Sequence, residues 1–134
     1  MTQEMGFKAT FPGSLDDARD RVTGALAAEG FGVLTRIDVA ATLQAKLGKA
    51  MEPYEILGAC NPTLAHAALE VDRNVGLLLP CNVVLRGVDG AVEVSIVDPV
   101  AMFSALPESA KARLEGAAAD ARGRLGRVAA ALRG

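Results

Sequence analysis

The chain has 134 residues, of which 51% are hydrophobic and 22% charged, and a formal net charge of −2. This composition predicts a single domain over residues 1–134 with a packed core, and it excludes wholesale disorder. One tyrosine, four phenylalanines and no tryptophan form no stacking platform, and there is no basic excess, so we expect no nucleic-acid partner.

The two cysteines are too few for a disulfide scaffold. The first residues lack the basic and apolar regions of a secretory signal. No apolar stretch approaches the roughly 20 residues that cross a bilayer. We therefore expect a cytoplasmic protein with reduced thiols and no membrane partner.

The first part of the chain alternates strand and helix patterns. Residues 7–11 alternate as a short strand, and Ser14, with Asp17 three residues on, predicts the N-cap of the first helix. Residues 32–37 predict a second strand, after which Asp38 is placed to cap a second helix.

The central segment is a strand that leads into a capped helix. Residues 54–60 are apolar on both faces apart from Glu55, which predicts a strand inside the sheet rather than at its edge. Asn61 followed by Pro62 predicts the N-cap and the first position of a third helix.

A hairpin decides the predicted fold class. Residues 81–86 and 91–97 predict two strands joined by a turn at residues 88–90. Hairpin strands must be antiparallel, so the class is α+β rather than a doubly wound parallel sheet.

A long C-terminal helix is predicted at about residues 108–132, with two lengthwise stripes. The apolar stripe consists of Leu114, Ala118, Ala121, Leu125, Val128 and Leu132, and the stripe of small residues consists of Ala112, Gly116, Ala119, Gly123, Gly126 and Ala130. The second stripe indicates either a packing face for a partner subunit or a helix weakened by its interior glycines.

Two Cys-Asn pairs, Cys60-Asn61 and Cys81-Asn82, are the main candidates for chemistry. Cys60 ends an apolar strand just before a helix N-cap, where unsatisfied N–H groups favour a thiolate. Cys81 begins a strand, so the two sulfurs can share a pocket if these strands are neighbours. The alternative for both cysteines is an inert place in the core, because free cysteine is commonly buried.

The remaining candidate ligand-binding groups are Asn61, Asn82 and His66. Asn61 is also explained as a helix cap and Asn82 as a turn-stabilising amide, while His66 falls on the solvated face of its helix. With Cys60 and Cys81, His66 would complete three zinc ligands, but no Cys-x-x-Cys or His-x-x-x-His spacing supports a metal site. We predict no metal and no cofactor.

Four different motifs follow one another along the chain. They are residues 31–39 (FGVLTRIDV), 54–62 (YEILGACNP), 75–84 (VGLLLPCNVV) and a closing Val94-Ser95 with Asp98-Pro99. Together they cover residues 31–102 and resemble the family called domain of unknown function 302. The resemblance implies a curved antiparallel sheet with helices packed on one side, similar to the TATA-binding-protein-like arrangement. It also implies homodimers and no established activity, and the occurrence of some members in sulfur-metabolising bacteria hints at sulfur or thiol chemistry.

Two hypotheses follow. In the first, a pocket near Cys60 and Cys81 binds a small ligand or carries thiol chemistry, with Cys60 as the nucleophile or redox thiol and Cys81 as its resolving partner. Asn61 and Asn82 would then be positioning groups. In the second, the protein is a non-catalytic homodimeric interaction module whose apolar sheet or long helix forms the interface. The hypotheses are compatible, because a dimer interface can wall a pocket.

Overall fold

The computed structural model describes residues 4–133, in which helices pack on one face of an open antiparallel sheet. The elements are β1 (Gly6–Pro12), α1 (Leu15–Ala28), β2 (Gly32–Asp38), α2 (Val39–Leu47), β3 (Tyr54–Cys60), α3 (Pro62–Val71), β4 (Cys81–Val88), β5 (Ala91–Val97), α4 (Pro99–Met102) and α5 (Glu108–Arg133), with short 3-10 helices at Arg73–Leu78 and Phe103–Ala105. The predicted α+β class, the antiparallel sheet with helices on one side and the long C-terminal helix are confirmed.

Short polar side chains begin the helices where the sequence predicts them. The Ser14 hydroxyl accepts a hydrogen bond from the Asp17 N–H at 3.0 Å, and the Asp38 carboxylate accepts one from the Ala41 N–H at 2.9 Å. Asp98 caps α4 in the same way. Each cap satisfies an N–H group that the first helical turn leaves without a partner.

In the described residues the strand order is β1-β5-β4-β3-β2, and each neighbouring pair is antiparallel. β4 and β5 form the predicted hairpin, in which Asp89 and Gly90 have φ angles of 50° and 78°. Positive φ at both central residues matches the twist of the flanking strands. β3 lies between β4 and β2, as its apolar faces predict, and β1 and β2 are the edges.

The main core fills the space between the sheet and two helices, α1 and α5. Val22 and Leu26 of α1 and Leu125 and Val128 of α5 are almost completely buried over strand residues such as Leu85. Their spacing along each helix, three or four residues, places them on one face.

A second, smaller cluster lies beside the first. It contains Ala68, Val75, Phe103, Leu106, Ala110, Leu114 and Ala118. At 1.5 Å per residue α5 is about 39 Å long, which is why a single helix contributes to both clusters.

The two stripes of α5 have different environments. All six residues of the predicted apolar stripe are buried. The small residues lie at the surface, except for Gly126, which is half-buried beside the ring of Phe7. The apolar stripe therefore packs within the domain itself.

Candidate functional site

The cysteine-bearing ends of β3 and β4 are neighbours in the sheet. Ala59 lies directly opposite Cys81 in the β3–β4 ladder, and Cys60 is the next residue along β3. Both cysteines are free thiols, and both line one narrow cavity of about 30 Å³. The strand adjacency on which the predicted pocket depends is thus present, while the chemical role of the thiols stays a prediction.

The cavity is apolar, and no charged side chain lines it. Apart from the two cysteines and Asn61, its walls are Phe31, Ala59, Leu64, Ala65, Ala68, Leu79, Pro99, Phe103, Ala117 and Ala121. The cavity is small compared with pockets that take up metabolites, which are typically about 300–1,000 Å³.

The local sequence places Cys60 at the N-terminal end of α3. Asn61 is the N-cap, and its side-chain oxygen accepts a hydrogen bond from the Leu64 N–H at 3.1 Å. Pro62 occupies the first helical position, where its missing N–H costs nothing. Both predictions are confirmed, and they leave the half-buried Cys60 next to the electropositive end of the helix.

The backbone of Gly30 passes close to the side chain of Asn61. Gly30, in the turn between α1 and β2, has a φ of 83°, and a Cβ atom there would lie 3.0 Å from Nδ2 of Asn61. The same position is 3.6 Å from Nη1 of Arg124, which donates a hydrogen bond to the Glu29 carbonyl at 3.1 Å. Glycine is required both for the backbone conformation and for this close approach.

The two thiols differ in their surroundings. Burial raises the pKa of the Cys81 thiol to about 11, and the neighbouring Cys60 is a smaller cause of the same sign. Cys81 is therefore a neutral thiol near pH 7, and it is a weak nucleophile because the thiolate is the reactive form. Cys60 is less buried than Cys81.

Asn82 and His66 lie outside the cavity. Side chains alternate along β4, so Asn82 is exposed on the face of the sheet opposite to the buried Cys81. His66 has a side chain that is 77% exposed, with Nε2 3.5 Å from a carboxylate oxygen of Glu70. Of the predicted site residues, the structure brings together both cysteines and Asn61.

A second hollow, of about 340 Å³, lies at the other end of the β4–β5 hairpin. It is lined by Gly13, Leu15, Pro53 and residues 87–92, and it contains none of the predicted site residues. Within residues 4–133 no group of three or more His, Cys, Asp or Glu side chains is placed to hold a metal ion. In the same part of the chain no helix has both the length and the apolar character to cross a bilayer.

Sequence reasoning misses a buried ion cluster at the far end of β3. Glu55 is only 2% exposed, and its carboxylate accepts two hydrogen bonds from Arg19 and two from Arg36. The hydrogen bonding by Arg19 is the main reason that the pKa of Glu55 is lowered. The sequence does show one glutamate within an apolar strand, which suggests a buried charge. It does not show which arginines pair with that glutamate. Because both carboxylate oxygens are engaged, the cluster joins α1, β2 and β3 and presents no free reactive group.

These features define a small α+β domain with an open five-stranded sheet and a pair of thiols at the ends of two adjacent strands. The model of the family named domain of unknown function DUF302 matches residues 7–132, and the chain belongs to this family. The predicted resemblance is confirmed.

The chain is also similar to a solved structure. This is the crystal structure of an uncharacterised conserved DUF302 protein from Bacillus stearothermophilus, with 27% sequence identity and a TM-score of 0.87. The alignment covers 98% of this chain and 100% of that chain, so the two share the whole fold. No curated protein matches the chain.

Proposed function

We propose that this protein is a thiol-active domain in which Cys60 and Cys81 cycle between two thiols and one disulfide. The observation that carries the proposal is that both cysteines line the same cavity, at the adjoining ends of two paired strands. From the ladder spacing and the rise per residue, their Cα atoms are roughly 6 Å apart. Disulfides span Cα separations of about 4.4–6.8 Å. Because side chains alternate along β3, Cys60 leaves the strand on the face opposite to Ala59 and Cys81, so the bond requires the end of β3 to turn.

The different surroundings of the two thiols support different roles for them in the reaction. Cys60, half-buried before the α3 N-terminus, is the thiol that reacts first, because partial access and a helix terminus both favour nucleophilic cysteine. Cys81 is buried and protonated, and it is the resolving thiol. Oxidation removes one hydrogen from each thiol, passes two electrons and two protons to a two-electron oxidant, and forms one S–S bond.

Asn61 contributes by fixing the start of α3 beside Cys60, and its amide is the polar side chain of the cavity wall. Asn82 and His66 lie outside the cavity and have no part in the proposal. We place this chemistry in the cytoplasm, where thiols are kept reduced between oxidation events.

The test compares the intact protein with Cys60→Ser and Cys81→Ser. Iodoacetamide near neutral pH should label Cys60 faster than Cys81, as read by peptide mass spectrometry. Treatment with the thiol oxidant diamide should then remove two hydrogens from the intact protein and yield a Cys60–Cys81 disulfide, which neither variant can form. Slow labelling of both cysteines in the folded protein, with no intramolecular disulfide, would overturn the proposal.

A second candidate function, homodimerisation, is supported by an exposed apolar surface formed by β2, α2 and the following loop. Leu34, Ile37, Leu47 and Met51 are exposed there by 67%, 49%, 65% and 37%. No residue of α2 is buried, although the helix carries leucines at 43 and 47. β2 is an edge strand, and such a strand can pair with another chain.

We propose that a second copy of this chain covers the β2–α2 surface. Equilibrium sedimentation should give a dimer at micromolar concentration, and Leu34→Asp should convert it to a monomer. Leu77→Asp is the matched control, because Leu77 is 86% exposed and lies outside this surface. A monomer in the unsubstituted protein would remove this candidate and leave the thiol proposal unaffected.

A further inference from the structure

The two edges of the sheet differ in how far the chain itself covers them. At the β1 edge, Arg133 of α5 donates hydrogen bonds from Nε and Nη2 to the Lys8 carbonyl, at 3.0 and 2.6 Å. β2 is the opposite edge, and no strand of residues 4–133 lies beyond it. An uncovered edge strand presents N–H and C=O groups that can pair with another strand. β2 is therefore the edge at which a further strand can add.

The strand register shows which backbone groups of β2 face this open edge. The two-residue turn of the β4–β5 hairpin makes the residues that flank it a hydrogen-bonded pair. Such pairs alternate along each strand and across the sheet, so Ile37, which lies opposite Ile56, directs its N–H and C=O toward β3. The neighbouring residues Arg36 and Asp38 therefore direct their backbone groups outward.

The side chains of Arg36 and Asp38 carry opposite charges on one face of β2, because residues two apart in a strand share a face. Arg36 bonds Glu55 through Nε and Nη2, and its Nη1 has no hydrogen-bond partner among the described residues. Asp38 lies directly opposite Glu55, which has the same charge, and within residues 4–133 its carboxylate forms no ion pair. This edge thus has a positive group with a free donor and a negative group without a counter-charge.

We infer that two copies of this chain join their β2 strands antiparallel, with Ile37 on the two-fold axis and Arg36 of each copy opposite Asp38 of the other. The inference rests on the proposed homodimer, since it names the contacts made at the β2–α2 surface. The Asp38 N–H of each copy then donates a hydrogen bond to the Arg36 carbonyl of the other copy. Two five-stranded sheets become one continuous sheet.

The charges select this register over its neighbours. An axis at Arg36 would set that residue against its own copy, and an axis at Asp38 would oppose two carboxylates. Like charges directly opposite each other destabilise a strand pair. An axis at Thr35 would bring Leu34 into the pairing, and Leu34 is the extra residue of a bulge, which interrupts regular pairing. An axis at Ile37 sets each positive side chain opposite a negative one.

The same arrangement covers exposed apolar side chains. Ile37 lies in one cross-strand row with Ile56 and Val84, so its contact with its own copy continues an apolar row across the axis. Leu34, which is 67% exposed, comes to lie beside the beginning of α2 in the second copy, because α2 follows β2 directly. A helix with no buried residue in the single chain thereby gains a packing partner.

Charge reversal followed by mixing tests the pairing of Arg36 with Asp38. Arg36→Asp and Asp38→Arg should each raise the dissociation constant of the dimer by roughly tenfold or more, because each opposes like charges across the axis. An equal mixture of the two variants restores opposite charges at both positions and should sediment as a dimer. Arg73→Asp is the matched control, because Arg73 is exposed on α3 outside this surface, and it should leave the dissociation constant unchanged. Circular dichroism checks that each variant is folded.

Ile37→Cys tests the axis while leaving both charges in place. At the axis this position forms a non-hydrogen-bonded pair with its own copy, in which Cα atoms are about 4.5 Å apart, within the range of a disulfide. Mild oxidation should therefore give a covalent dimer on a non-reducing gel, with the bond assigned to position 37 by peptide mass spectrometry. Leu77→Cys is the matched control, because Leu77 is 86% exposed but lies elsewhere, and it should stay largely monomeric.

The outcomes separate this arrangement from the proposed homodimer. A monomeric unsubstituted protein would overturn both. A dimer that Leu34→Asp dissociates, but that forms no cross-link at position 37, would overturn the β2 pairing and leave the β2–α2 surface as the interface. Folded charge variants that fail to associate on mixing would overturn the pairing in the same way. If neither charge variant folds, the cross-link at position 37 decides.

Discussion

Arg19 holds the buried carboxylate of Glu55 with two hydrogen bonds, of 2.8 Å from Nε and 2.6 Å from Nη2. Arg36 adds two more, at 3.0 and 3.2 Å, from the edge strand. The Glu55 carboxylate of β3 thereby links helix α1 to the neighbouring strand β2. Removing this carboxylate is costly, because the Arg19 side chain, which is only 18% exposed, would be left without its partner.

Replacing Glu55 should destabilise the fold more than replacing an exposed glutamate. Glu55→Gln leaves two guanidinium groups without their carboxylate and should lower the free energy of unfolding by about 3 kcal/mol, as measured by urea denaturation. Glu70→Gln is the control, because Glu70 is exposed and pairs with Arg73 at 3.5 Å, so it should change the free energy by less than ~1 kcal/mol. Equal effects would show that Glu55 contributes no more than a surface ion pair.

The same carboxylate should make the stability sensitive to acid. The hydrogen bonds from Arg19, and then those from Arg36, lower the folded-state pKa of Glu55 against the opposing effect of burial. Its stabilising contribution is therefore complete above the unfolded-state pKa of about 4.3 and is lost as the pH falls through the folded-state value. The difference in unfolding free energy between the intact protein and Glu55→Gln should thus be constant near neutrality and shrink in acid. A difference that grows on acidification would contradict the lowered pKa.

The Cys81 thiol should titrate far above the ordinary range. In Cys60→Ser, the thiolate absorbance of the folded protein should rise with a midpoint near pH 11, because burial raises the Cys81 pKa to about 11. Removing Cys60 removes the smaller of the two causes, so the midpoint should remain high. Denaturant should return the pKa of the thiol to about 8.5. A midpoint near 8.5 in the folded variant would mean that Cys81 is reached by solvent.

Because its pKa is raised, Cys81 should make the fold less stable in alkali, whereas Glu55, with its lowered pKa, should make it less stable in acid. The contribution of Cys81 is complete below the unfolded-state pKa and is lost as the pH rises through the folded value near 11. Cys81→Ser should remove this alkaline loss, which denaturation curves across that pH range will test.

Gly30 and Gly24 should respond in opposite directions to alanine. At Gly30 the backbone has φ 83° and the new Cβ meets Asn61, so Gly30→Ala should destabilise the fold by about 1 kcal/mol or more and disturb the α3 cap. Gly24→Ala is the matched control within α1, where a Cβ meets nothing within 4 Å, and it should stabilise by up to ~1 kcal/mol. Thermal denaturation of both variants measures the difference. Stabilisation by both would show that the turn at Gly30 tolerates a side chain.

Leu125 should be among the most costly residues to truncate. It is fully buried between α5 and the sheet, so Leu125→Ala should lower the free energy of unfolding by about 2–5 kcal/mol. Leu47→Ala, at a site that is 65% exposed, should change it by less than ~0.5 kcal/mol in dilute monomer. A larger, concentration-dependent loss for Leu47→Ala would point to burial of α2 in an oligomer.

Local features of this fold can be predicted from neighbouring residues alone. The caps at Ser14, Asp38 and Asn61 join atoms three residues apart, and the Asp89–Gly90 turn needs only residues that tolerate positive φ. The buried stripe of α5 follows from helical periodicity. The antiparallel class follows from the hairpin.

Contacts between distant parts of the chain cannot be predicted from neighbouring residues. Arg19 and Glu55 are 36 residues apart, and Gly30 meets Asn61 only because α1, β2 and α3 converge at one end of the sheet. The same applies to the candidate site. The Cys-Asn repetition marks both thiols, but strand alternation sends Asn82 to the face opposite Cys81, away from the cavity.

The sequence by itself determined where the helices start, where the hairpin turns and which α5 face is apolar, because those choices depend on contacts within a few residues. The tertiary structure alone decided the strand register that sets Ala59 opposite Cys81, the size of the cavity beside them and the partners of Glu55. These depend on how separate elements pack, and many packings are compatible with the same local pattern.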